Sequence, residues 1–268
     1  MASTLYALRR QIVEAGRRVY NRNFVASNDG NISARVDSRK VVITPSGVSK
    51  GFMKPEDLIV VDYDGKVLEG RKKPSSELFM HLRIYQERRD VRAVVHAHPP
   101  KATGFAVAGI PLTQCVLPEV IVGLGGIPLA KYGTPGTEEF YTPVLKYLRD
   151  YDAFLLENHG ALTIGDSVMS AYYKMETLEH FAHIAYVAIQ LGNLQTLGER
   201  DVQKLINLRQ NFGISTQVSC ERCEKSNTSE CVIGEPAGPA LSMTAAGADQ
   251  QALVEAVTAA VVRQLAAR

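Results

Sequence analysis

The sequence predicts α/β layers built on a largely antiparallel or mixed sheet. Short β-type runs recur between Ile32 and Glu157, helical stripes with three- and four-residue spacing flank them, and a hairpin turn joins early strands. Leu5, Leu8, Ile12 and Ala15–Gly16 fall on one face, so the first twenty residues make a helix. Runs at Ile32–Val36, Val41–Thr44 and Leu58–Val61 follow. The last leads through a turn at Asp64–Gly65 into a short return at Lys66–Leu68. Pro74-Ser-Ser-Glu77 opens a helix that runs to about Arg89, with Ser75 or Ser76 as N-cap. A strand spans Arg92–His98, a Gly/Pro-rich stretch fills 99–136, and a helix covers 137–149. The strand Ala153–Glu157 ends in Asn158-His159-Gly160. Val168, Ala171, Met175, Leu178, Ala182, Ala185 and Ile189 then make the core-facing stripe of a helix over 167–191.

The 268 residues suffice for one substantial core, or for one domain plus an appendage. Residues 1–212 read as one domain. Residues 213–250 are rich in Ser, Thr, Gly, Pro and Ala and read as a linker; 251–268 return to a helical pattern with Leu253, Val254, Val257, Val261 and Leu265 on one face. Thirty basic against 28 acidic side chains leave a formal charge of +2, which gives no electrostatic footprint for nucleic acid or an anionic membrane. Gly, Pro, Gln or Glu interrupts every long apolar stretch, so no transmembrane helix is expected, and the N-terminus reads as an amphipathic helix rather than a signal peptide. Four cysteines without such a leader point to a reducing cytoplasm.

His96 and His98 are two apart in an apolar strand, so both imidazoles face one point, with Val94 and Val95 as the buried anchor. His159 ends a second apolar strand. Three neutral imidazoles with an open fourth position describe a catalytic zinc site, and Glu77, near the start of a helix, is placed to be the fourth ligand or a general base. His81, His180 and His183 fall on predicted helices among polar neighbours, where a structural role is the expectation. Three polar turns suit a phosphate: Asn28-Asp29-Gly30-Asn31-Ile-Ser33, Thr44-Pro45-Ser46-Gly47 and Pro74-Ser75-Ser76-Glu77. Each offers hydroxyls, amides or backbone N–H groups, and Ser75–Ser76 sit at a helix N-terminus. Cys220, Cys223 and Cys231 make a cluster one ligand short of a common metal site; a redox-sensitive, metal-free cluster is the simpler reading.

Together these motifs resemble the class II aldolase and adducin-head family. The matching elements are Gly30-Asn31-Ile-Ser33, Ile43-Thr-Pro-Ser-Gly47, Pro74-Ser-Ser-Glu77, Val95-His96-Ala-His98, Tyr132-Gly-Thr-Pro-Gly136 and Asn158-His159-Gly160, in family order over residues 5–212. The resemblance implies a three-layer α/β/α sandwich around a mainly antiparallel sheet, assembled as a homotetramer with sites between subunits. It implies one zinc ion per subunit on His96, His98 and His159, with Glu77 as resting ligand and as base in turnover. Asn31, Ser46, Gly47, Ser75 and Ser76 would hold a sugar phosphate, with Asn28 nearby. Glutamate at 77 favours the aldolase over the epimerase branch, and three histidines argue against a metal-free adducin-like module. The implied reaction is cleavage of a ketose 1-phosphate, L-fuculose 1-phosphate above all, to dihydroxyacetone phosphate and an aldehyde.

The sequence departs from the fuculose-phosphate pattern at two tyrosines. The segment Gln114–Glu119 has none, and Phe212 stands near the domain's end. Glu119 and Tyr132 are the candidate aldehyde-side acids. The linker and terminal helix resemble encapsulation peptides, which implies shell proteins of a bacterial microcompartment as partners for 251–268 and the compartment interior as the location.

Overall fold

The computed structural model describes residues 2–212 and Ile214. The cysteine cluster and the terminal helical pattern lie outside the described residues. Seven helices and eight strands are described: α1 (Ala2–Asn21), β1 (Asn31–Arg35), β2 (Val41–Ile43), β3 (Ile59–Val61), β4 (Val67–Glu69), α2 (Leu78–Glu87), β5 (Ala93–Ala97), α3 (Pro100–Val107), α4 (Pro118–Gly123), β6 (Leu129–Ala130), α5 (Glu138–Leu145), β7 (Ala153–Leu156), β8 (Gly160–Gly165), α6 (Val168–Gln190) and α7 (Glu199–Asn211).

One sheet holds all the strands, in the order β4-β3-β2-β1-β5-β8-β7-β6. Every neighbouring pair is antiparallel except β6 with β7, which makes the sheet mixed. Strand alternation sends side chains to two cores. Val42, Val60, Val95, Leu155 and Ala161 join Ile12, Val19, Phe105, Leu178 and Phe181 of α1, α3 and α6. Val41, Ile43, Val94, Phe154, Leu162 and Ile164 join Leu78, Leu82, Phe140 and Val202 of α2, α5 and α7. Both faces are therefore covered by helices, the α/β/α layering that the family resemblance implies.

The structure corrects several local expectations. The N-cap of α2 is Glu77, not Ser75 or Ser76, and the helix ends at Glu87. Ser75 still serves the helix start, because its Oγ accepts the Glu77 N–H at 3.3 Å and its carbonyl accepts from Leu78. The 99–136 stretch is not simply a loop. Pro100 and Pro118 begin α3 and α4, where a missing N–H costs nothing and a fixed φ is an advantage. Helix 137–149 shortens to α5, which carries Pro143 inside it. The strand after His159, β8, runs antiparallel to both β5 and β7 and lies between them in the sheet.

Candidate metal centre

β5 carries His96 on the face of Val94, towards α2, and His98 lies just past the strand end. The left-handed Asn158 (φ 54°) turns β7 back into β8 and brings His159 to the same place. Glu77 arrives from the cap of α2. The loop before β1 passes against β5 only because residue 30 is glycine: at φ 73°, a Cβ would lie 2.7 Å from the His96 carbonyl oxygen. The Phe24 carbonyl of that loop accepts the His98 N–H at 2.8 Å, which fixes the end of β5.

Nε2 of His96 is 3.1 Å from Nε2 of His98 and 3.0 Å from Nε2 of His159. Glu77 closes the fourth side, with Oε2 3.3 Å from His96 and Oε1 3.0 Å from His159. A tetrahedral ion with bonds of ~2.0–2.1 Å sets its ligand atoms about 3.3 Å apart, so these spacings fit a small divalent cation. The ring tautomer fits too. His96 Nδ1 lies 2.9 Å from the Ala161 carbonyl and must be the N–H, which leaves the Nε2 lone pair facing its neighbours. Burial holds His96 and His98 below the usual imidazole range, in the neutral form a metal requires. Burial pushes Glu77 up, but His96, His159 and the Asn31 amide outweigh it and hold the carboxyl well below the usual carboxylate range.

His81 differs from expectation. It is fully buried, one helical turn beyond Glu77, and its polar partners come from β1 rather than from its own helix. Asn31 Nδ2 donates to Glu77 Oε2 at 2.8 Å, so Asn31 Oδ1 is the acceptor for His81 Nε2–H. His81 Nδ1 then accepts from Ser33 Oγ at 2.7 Å, and Ser33 Oγ accepts from Tyr85 OH at 2.8 Å. The chain Tyr85–Ser33–His81–Asn31–Glu77 has one consistent direction of donation, and burial keeps His81 neutral, at about 4. The Glu77–His81 spacing of four residues was the available signal, since it places both side chains on one helix face.

The polar turns also converge. An antiparallel bridge between Pro45 and Pro74 sets the Ser46–Gly47 turn beside Ser75–Ser76. Neither the Gly47 nor the Ser76 N–H is engaged by a backbone acceptor among the described residues. Asn28 is exposed on the neighbouring loop, while Asn31 is buried and holds Glu77. Lys50, which the sequence did not single out, links the two loops: Nζ donates to the carbonyls of Asn28 and Val48 at 2.7 and 2.8 Å. Glu119 is exposed in the first turn of α4, and Tyr132 is exposed, its N–H donating to Glu157. Among the described residues neither of those side chains has a hydrogen bond, ion pair or ring contact with the histidines. Phe212 is exposed as well.

The model of the Class II Aldolase and Adducin N-terminal domain matches residues 10–186. An L-fuculose phosphate aldolase of Methanococcus maripaludis is 36% identical over 177 residues, 66% of this chain and 95% of the relative. A 5-deoxy-D-ribulose 1-phosphate aldolase of Bacillus thuringiensis serovar kurstaki is 32% identical over 208 residues, 76% of this chain and 96% of the relative. Among solved structures, an L-fuculose 1-phosphate aldolase superposes with a TM-score of 0.71 at 30% identity, covering 77% of this chain and 96% of that one.

Proposed function

The chain belongs to the class II aldolase and adducin family, and we propose that within it this protein is a zinc-dependent aldolase that cleaves a ketose 1-phosphate, L-fuculose 1-phosphate foremost, to dihydroxyacetone phosphate and lactaldehyde. The observation that carries this reading is the convergence of three imidazole nitrogens and one carboxylate at 3.0–3.3 Å, beside polar turns with unengaged N–H groups. His96, His98 and His159 would hold the zinc, with Glu77 as the fourth ligand at rest. Bound there, zinc would act as a Lewis acid on the substrate carbonyl and offset the charge that develops when the carbon–carbon bond breaks.

The chain's own groups supply the rest. Glu77 is the base in turnover: once off the metal, it takes up a proton equivalent to the one the substrate hydroxyl releases as the aldehyde forms and passes it to the carbon that loses its partner, and Asn31 keeps the carboxylate aimed while it does so. Ser46, Gly47, Ser75, Ser76 and Asn28 hold the phosphate away from the breaking bond and so fix the orientation of the ketose. Glu119 and Tyr132 are the proposed groups for the aldehyde-side proton; both are exposed, as residues that complete a neighbouring subunit's site in a tetramer would be.

The test is release of dihydroxyacetone phosphate from L-fuculose 1-phosphate and from 5-deoxy-D-ribulose 1-phosphate by the zinc-loaded chain. Release is expected, with loss on chelation or in H159A. In E77Q a drop of about 10²–10⁴ in kcat is expected. A zinc-replete protein that releases none from either substrate overturns the aldolase reading and moves it to epimerisation or dehydration. For the tail, a fluorescent cargo fused to residues 247–268 is expected to co-purify with microcompartment shells; a cargo that stays diffuse ends the targeting proposal.

A further inference from the structure

Lys50 is a chemically expensive residue that the reaction above leaves unused. It is 1% exposed, and no other lysine among the described residues is buried. Taking an ammonium out of water is unfavourable unless something near it needs the charge. Its two acceptors do not need it, since the carbonyls of Asn28 and Val48 would be satisfied by a neutral donor. The charged groups that face it are Asp29, on the loop before β1, and Glu77, at the cap of α2; both are negative. Without Lys50 that wall of the site would present only negative charge to an incoming anion.

The two acceptors identify what the charge serves. Asn28 and Val48 lie on the loops that carry Asn28, Ser46 and Gly47, and one side chain bonds both, reaching Asn28 across 22 residues of sequence. Ser46 and Gly47 are exposed, and Gly47 has φ 71° with nothing within 4 Å of where a Cβ would stand. The turn thus offers an open backbone face outside while Lys50 pins the chain from inside.

We propose that Lys50 is a positioning residue for the phosphate group of the substrate: it clasps the 26–30 and 44–48 loops at the spacing that admits a phosphate monoester dianion, and it supplies the buried cation that offsets Asp29 and Glu77. This rests on the phosphate-binding role given above to the same turns. Lys50 touches loop backbone, and its effect on substrate passes through that backbone and through its field.

The experiment compares the metal-loaded wild type with K50M and K50Q, measuring the Kd for inorganic phosphate by calorimetry alongside KM, kcat, metal content and thermal melting. Both variants are expected to weaken phosphate binding and raise KM by about 10–100-fold, with kcat within about threefold and metal content unchanged. A purely structural lysine would lower the melting temperature without this split. If both variants fail to fold, the wild type alone decides. Burial lowers Lys50 to about 8 against the pull of Asp29 and Glu77, and by reciprocity a bound dianion must raise that value, which lysine Cε NMR reads directly. Phosphate affinity within twofold of wild type in K50M, or a Lys50 titration that phosphate does not move, overturns the proposal while leaving the aldolase reading intact. A wild type that binds no phosphate overturns the phosphate role of these turns and the Lys50 proposal with it, while release of dihydroxyacetone phosphate still decides the aldolase reading.

Discussion

Neutral His81 can complete only one hydrogen-bond pattern, and that pattern sets the orientation of Glu77. Its Nε2–H donates to Asn31, so Nδ1 must accept from Ser33. In H81L two buried polar groups lose their partner, at about 1–3 kcal/mol each. The expected outcome is destabilisation of about 2–4 kcal/mol and a fall of about tenfold or more in kcat, because Asn31 is then free to turn from Glu77. H81Q, whose amide nitrogen replaces Nε2–H, is expected to restore most of the kcat; failure of that rescue would reduce His81 to packing. Proton linkage supplies a second check. Burial depresses the folded His81 to about 4, below the unfolded value of ~6.5. Its contribution is therefore fully present above ~6.5 and is lost as pH falls through about 4, amounting to about 3 kcal/mol across that window. Acid unfolding followed in wild type and H81Q should diverge between those limits, with the variant flatter.

At the level of elements, the turn between β7 and β8 does the most to assemble the centre. Gly160 starts β8 where that strand crosses the end of β5: an added Cβ would lie 2.6 Å from both the Ala97 carbonyl oxygen and His98 Cδ2. G160A must push β8 from β5 or displace His98. A loss of about 1–3 kcal/mol is expected, with metal affinity reduced even where the variant folds; calorimetric metal titration beside thermal melting separates the two effects. This same turn marks where sequence reading stopped short. Strands β1, β2, β3 and β5 were legible because alternating or continuous apolar residues lie between clear turns. β8 begins and ends in glycine, and the Asn-His-Gly sequence reads equally well as a strand end. Helix α3 was hidden for another reason: its first N–H groups are capped by the Glu179 carboxylate of α6, with Lys101 and Ala102 donating at 3.0 and 2.8 Å. A cap supplied from 77 residues away leaves no local pattern. The His96, His98 and His159 convergence was legible because period-two geometry and a strand end are local facts. Lys50 was not, since a lone lysine in a loop announces neither its burial nor the two carbonyls it joins.

Across the whole molecule, the centre joins parts of the chain that lie far apart in sequence. Glu77 caps α2, His96 lies in β5 with His98 just past its end, and His159 sits between β7 and β8, so the proposed ligand set closes loops of 18 and 60 residues within one sheet-and-helix unit. In the absence of a cation, three imidazole nitrogens within 4.8 Å of one another crowd their lone pairs beside a buried carboxylate. A cation relieves that crowding only in the folded state, so it must act as a stabilising ligand. At a free concentration a hundredfold above its Kd, the gain is about 2.7 kcal/mol. For a domain of this size each kcal/mol moves the melting temperature by about 2–4 °C. Chelation is therefore expected to lower the melting temperature by about 5–10 °C, and added zinc to restore it. H159A, which retains only two of the imidazoles, is expected to melt at nearly the same temperature with and without chelator. A wild type whose melting ignores both chelator and zinc would mean that these four groups hold no metal, and that the histidine cluster is a packing arrangement alone.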